Sequence, residues 1–395
     1  MSVTSYLYKV TPRFIFAVAA VMLTSAALAE LKAIEDNELS EITGQAYISI
    51  DQNSYAAADN NVKYMRINLG LDIETQLNAD SLVLGEYDRA DPNGEARNAD
   101  IIFEDFSLGT IYDADYYENN KRVAMPLKAD GSRYTDGEIV PFKIKDPFIE
   151  FAIDKTTGEP IGVRIGLGEA EGLLSAKIKA LTGSLNIDIL DRGEGLKDAS
   201  SNGNFADQLV VLLAPYLTSG DPLQSKAVLL DANGNPDPIR ATMAGVANGE
   251  EFVIKDTSFL TRSAIWLLGP ALSSEVEIDG SDIILTVQDC AVIGINTCFD
   301  LEQFQTLAIG EVTEGGDGRS YLTGSETGSF LSFQSKNLKW LNDVKNTNPD
   351  ASQFIEATQG SYLNIPNGLT LNLKESLDGI PRARTEYIDR GVGLF

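Results

Sequence analysis

The stretch 65–78, MRINLGLDIETQLN, alternates without a break. Met65, Ile67, Leu69, Leu71, Ile73, Thr75 and Leu77 fall on one face; Arg66, Asn68, Gly70, Asp72, Glu74, Gln76 and Asn78 fall on the other. A period of two marks an amphipathic β-strand with two unlike faces. Unbroken, the run would extend about 40 Å at roughly 3.3 Å per residue, about twice an ordinary strand. Strands of this kind belong to barrels, extended sheets and elongated surface proteins.

The same habit recurs downstream. In IGVRIGLGEAEGLLSAKIKALTGSLNIDI, 161–189, three alternating runs are separated by GEAEG and LTGS, which reads as consecutive strands in a meander or in solenoid-like coils. No fixed repeat of 20 to 50 residues supports a regular solenoid. Further strands are expected in DPFIEFAID (146–154, closed by the turn DKTTGEP), SDIILTVQD (281–289) and LNIPNGLTLNL (363–373). The glycine-rich EVTEGGDGRSYLTGSETGSF, 311–330, lacks the Lys-Ser/Thr ending of a phosphate loop and reads as an exposed hairpin or loop. FADQLVVLLAPYL, 205–217, is either one buried helix or a buried strand.

The fold class expected is therefore mainly β: long amphipathic antiparallel strands in a sandwich or elongated sheet, a short N-terminal helix and one candidate buried helix. Residues 1–29 read as a signal peptide, with Lys9 and Arg13 ahead of a short apolar run and Ala27-Leu28-Ala29 at its end. That run is too short for the roughly 20 residues of a transmembrane span. Residues 30–190 form an N-terminal β region, the polar segment 191–204 a linker, and 205–395 a C-terminal β region.

Charge and composition narrow the function. The chain carries 31 Lys and Arg against 58 Asp and Glu, a net charge of −27, and no histidine. Loss of Lys9 and Arg13 with the signal peptide would leave it still more acidic. Such a surface repels nucleic acid and anionic membranes. Without histidine, Ser-His-Asp and Cys-His chemistry and His-based metal sites are excluded. An enzyme would have to work with carboxylates, and a carboxylate-based enzyme acting on polysaccharide is one alternative.

Cys290 and Cys298 lie eight positions apart in DCAVIGINTCFD. In an oxidising compartment a disulfide is the expectation, with free thiols or a metal site as alternatives. In DANGNPD, Asp231, Asn233, Asn235 and Asp237 present oxygens at alternate positions, which suits either a calcium ion or an ordinary Asn-Gly turn. Pro236 stands where a calcium-loop glycine belongs. The terminal Phe395 suits an outer-membrane barrel, but Gly393, Gly391 and Asp389 break the alternation such a strand requires.

The segment LKAIEDNELSEITGQAYISID, 31–51, resembles an N-terminal domain of unknown function in exported gamma-proteobacterial proteins, some labelled as pilus-system proteins. Its motif stands here as Leu39, Ser40, Thr43, Gly44 and Gln45, after Asp36 and Glu38. The resemblance implies an exported protein linked to a surface filament, with appendage or assembly proteins as partners, and it brings no catalytic residues. Two readings of the switch at Gly44 stay open: a short helix shielding the first strand, or a docking tag in which Leu39, Gly44 and Gln45 meet a partner. The expected function is an exported, non-enzymatic structural or adhesive protein of a cell-surface appendage, with no cofactor other than calcium. The alternative beside the enzyme is an outer-membrane barrel or a lipid-handling protein.

Overall fold

The Val62–Gly70 strand ends where the alternation of 65–78 appeared to continue. In this computed structural model, residues 47–386 are described except 90–97, 192–207, 209–222, 267–274, 367–369 and some shorter breaks. The expected signal peptide (1–29) and N-terminal helix, the docking candidates Leu39, Gly44 and Gln45, and nearly all of 205–217 lie outside the described residues. Those described belong to one compact unit, 46–395.

The chain is mainly β, as expected, and most of its strand pairings are antiparallel. The run 65–78 is not one strand. It divides into Val62–Gly70, Asp72–Thr75 and Leu77–Glu86, with the first strand in one sheet and the other two in a second. The break falls at Leu71, whose N–H turns back to Leu69 O at 2.8 Å. Alternation specifies which face a residue takes, but not where a strand changes partners.

Seven strands make the first sheet, in the order Tyr47–Asn53, Val62–Gly70, Phe148–Asp154, Pro160–Gly166, Phe330–Gln334, Gly360–Ile365, Gly183–Leu185. Only the last pairing is parallel. The second sheet runs Asp72–Thr75, Phe142–Lys145, Glu169–Leu181, Ala99–Leu108, Leu77–Glu86. Neither strand order returns to its start, so neither sheet closes into a barrel among the described residues. Within the same limit, no helix is long and apolar enough to cross a membrane.

Two expectations for 161–189 are corrected. The turn at GEAEG is confined to Leu167 and Gly168, and Glu169–Leu181 passes through the rest as a single 13-residue strand. The runs are not a meander either: Pro160–Gly166 pairs with Phe148–Asp154 and Phe330–Gln334, while Glu169–Leu181 pairs with Ala99–Leu108 and others. Distant segments supplied better partners than the next run in sequence. DPFIEFAID and SDIILTVQD do form strands, Phe148–Asp154 and Asp282–Thr286. Residues 311–324 make the expected hairpin.

Strands from both sides of 191–204 share the first sheet. The main core likewise joins Ile101, Phe142 and Leu174 to Phe252, Phe304 and Leu371. Asp100, fully buried, fastens the second sheet to the first. It accepts from Arg240 Nε at 3.1 Å, Arg89 Nη1 at 3.2 Å and the Ser361 N–H at 2.8 Å.

Candidate functional site

The first sheet has two unlike faces, and register builds both. On one face, Asp51, Arg66, Glu150, Arg164, Ser332 and Tyr362 stand side by side on successive strands. The next row on that face is Tyr64, Ala152, Gly162, Gln334 and Gly360. A hairpin of Leu338–Leu341 and Phe354–Ala357 roofs this face, with Trp340 wholly buried against Val62, Tyr64 and Phe330.

The charges under that roof are compensated. Glu150 Oε1 accepts from Arg66 Nε at 3.0 Å and Nη2 at 2.9 Å, and Oε2 accepts from Arg164 Nε at 2.7 Å. Each guanidinium also donates to the backbone beside the roof: Arg66 Nη1 to Val344 O at 3.1 Å, Arg164 Nη1 to Leu341 O at 2.8 Å. Arg164 lies over the rings of Phe148, Phe330 and Trp340 at 5.1 to 5.2 Å. Burial pulls Arg164 below its ordinary pKa, opposed by the adjacent Glu150. Burial likewise pushes the Tyr64 hydroxyl far up; that hydroxyl donates to Lys339 O. Satisfaction is incomplete: Arg164 Nη2 lies 2.7 Å from Glu150 Oε2 as an ion pair without a hydrogen bond, and Ser332 Oγ and Trp340 Nε1 are buried without a hydrogen-bond partner. The network's gain therefore lies in charge balance and in tying the roof to the sheet.

Of the two faces of 65–70, the one carrying the charge is the covered one. Arg66 is 4% exposed, while Met65, Ile67 and Leu69 are only half-buried. The sheet buries its charged side because arginine and glutamate neutralise one another there.

On the outer face the register aligns Ile50, Ile67, Ile149, Ile165, Leu331 and Leu363 across six strands. Beside them run Gln52, Met65, Phe151, Val163, Phe333 and Ser361. Neither row holds a charge, in a chain where 23% of residues are charged. Leu331 and Leu363 pack against the main core, Ile149 and Ile67 are half-buried, and Ile165 (44%) and Ile50 (63%) are exposed. Phe151, Val163 and Phe333 also line an open groove of about 550 Å3, together with Gly85 and Tyr87.

The other sequence candidates fall elsewhere. Cys290 and Cys298 form the expected disulfide, with Cα atoms 5.3 Å apart. Asp231 through Asp237 form a turn: Asp231 Oδ1 accepts the N–H groups of Asn233 and Asn235 at 2.8 Å, and Asp237 Oδ1 accepts the N–H of Ile239 at 2.9 Å. Those bonds draw both carboxylates onto their own backbone. Burial raises the Asp231 pKa, but the bonds from Asn235 and Asn233 outweigh it and hold the group low. Among the described residues no group of three or more acidic or cysteine side chains is gathered to hold a metal.

The turn and the disulfide, unconnected in the sequence reading, pack together. Asn248 Nδ2 donates to Asn233 O at 2.7 Å, and Asn248 Oδ1 accepts the Cys290 N–H at 3.0 Å. Gly234 sits at φ +81°, where an added Cβ would come within 2.6 Å of Cys290 Sγ. Only glycine meets both demands.

Sequence comparison reaches a limited part of the chain. The profile of a family of unknown function (DUF6160) matches residues 8–105. No curated protein matches the chain, and no solved structure does. The matched segment includes Tyr47–Asn53 and Val62–Gly70, whose sheet is completed by strands from 148 to 365.

Proposed function

We propose that this chain is an exported, non-enzymatic structural or adhesive protein of a cell-surface appendage, joining its neighbours through the outer face of the seven-stranded sheet. The observation that carries this reading is the double row of uncharged side chains from Leu363 to Ile50, which leaves the core and enters solvent. Contiguous apolar surface beyond a few hundred Å2 is uncommon on monomers and marks places where another molecule sits. The most deeply buried carboxylates, Glu150 and Asp100, have their oxygens taken up by arginine and backbone donors, which suits scaffolding more than acid–base work.

Fractionation of native cells tests the reading. Enrichment in sheared surface material alongside filaments is expected. A detergent-dependent outer-membrane signal, with none in the sheared fraction, would overturn it. The groove supports a second reading, lipid handling, because an open apolar channel bounded by Tyr87 suits an acyl chain. Organic extraction of the purified protein should then return lipid in stoichiometric amount.

A further inference from the structure

The first sheet ends at Tyr47–Asn53, YISIDQN, which pairs with Val62–Gly70 along one side over all seven residues without a bulge. Among the described residues no strand pairs with its other side. It carries no lysine or proline, and its one charge, Asp51, stands on the roofed face. Its two isoleucines, Ile48 and Ile50, are both more than half exposed.

We propose that this edge pairs with the same edge of a second copy, antiparallel, about a two-fold axis at Ile50. A two-fold axis perpendicular to the sheet keeps both faces in register only when it passes through a residue, and Ile50 is the centre of the strand. Tyr47 then meets the partner's Asn53, Ile48 meets the partner's Gln52, Ser49 meets the partner's Asp51, and Ile50 meets its own copy. All seven residues pair, and the six-residue apolar row becomes continuous with its image. The strand's only charge, Asp51, faces a hydroxyl; an axis moved to Asp51 would set carboxylate against carboxylate, and one moved to Ser49 would leave residues unpaired.

The surface area sets the strength. One seven-residue strand pair buries less than the roughly 1,200–2,000 Å2 of a standard stable complex, so the dimer is expected to be concentration-dependent. The two Asp51 side chains are diagonal neighbours about 7–8 Å apart, and both copies carry a net charge of −27. At a Debye length of about 10 Å in 0.1 M salt this repulsion is partly screened, so salt should tighten the dimer, opposite to an ion-paired interface.

Sedimentation equilibrium of the purified protein, at low and high salt, reads this out. Expected is a dimer that strengthens with salt, weakens at least about tenfold in Ile50→Lys and tightens in Asp51→Asn. The register is read by cross-linking: because the native cysteines are already paired, Ile50→Cys should form a covalent dimer on oxidation and Ile48→Cys should not. Both positions are surface-exposed, and unchanged melting confirms that the variants fold. A monomer at every concentration and salt overturns the proposal. So does equal cross-linking at positions 48 and 50, or a dimer lost in Ile165→Lys but kept in Ile50→Lys. These outcomes concern purified protein alone, so they are independent of where cell fractionation finds the chain.

Discussion

The two faces of the seven-stranded sheet invert the usual arrangement. The face with charges is buried beneath Trp340 and its hairpin, while the face of isoleucines, valine and phenylalanines runs out toward solvent. A sheet covered on one side normally puts apolar side chains there. Here the covered side is paid for by mutual neutralisation of Arg66, Glu150 and Arg164, leaving the apolar side available for contact. What is buried follows from which face finds a roof and from local charge balance, as well as from hydropathy.

Removing the balancing charge should break the contrast most severely. Glu150→Ala leaves two guanidinium groups under the roof, and a loss on the order of 3–5 kcal/mol is expected in denaturant unfolding. Replacing Arg66, Glu150 and Arg164 together by Met, Leu and Met should lose much less. If the triple variant is no more stable than Glu150→Ala, the network is not acting as a balanced unit.

The disulfide belongs to neither face and provides a reference. Serine at both Cys290 and Cys298 should lower stability by about 2–3 kcal/mol for so short a loop, read by comparing melts with and without reductant. An unchanged melt would show that the turn at Asn248 holds the region without the covalent link.

On the outer face, Ile165→Thr should shift stability by no more than about 0.5 kcal/mol, because its side chain is already 44% exposed. A loss comparable to that of Glu150→Ala would mean that this face is packed after all. The smallest effect lies in a surface turn. Glu138 is held at about 2, against an ordinary 4.5, by the Lys128 side chain and by the N–H and hydroxyl of Thr135. Its pKa is depressed, so its contribution is present above pH 4.5 and fades as pH falls toward 2. Carboxylate titration by NMR should find Glu138 still charged at pH 3.

The Glu150–Arg164 pair was only partly legible in advance. The turn DKTTGEP joins Phe148–Asp154 to Pro160–Gly166, but the register shifts between Ala152 and Ile153, so a regular count back from the turn would set Glu150 opposite Val163. The sequence shows a glutamate and an arginine, each inside an otherwise apolar strand; the bulge decides that they face one another. Arg66 was not legible, because it joins them from a strand more than 80 residues away, and nothing local distinguishes it from Asn68 or Glu74. That no strand among the described residues pairs with the other side of Tyr47–Asn53 could not be read for a related reason: a strand is an edge only when no other segment takes its free side.

The sequence by itself determined the β class, the positions of many strands, the disulfide and the acidic surface. Each of these is set by period, spacing or composition within a few neighbouring residues. Only the tertiary structure decided that 65–78 divides between two sheets, that GEAEG lies mostly within a strand, and which face of the first sheet is roofed. Those outcomes depend on pairings between residues as far apart as Tyr64 and Lys339, where the competing partners are compared in space and local pattern is silent.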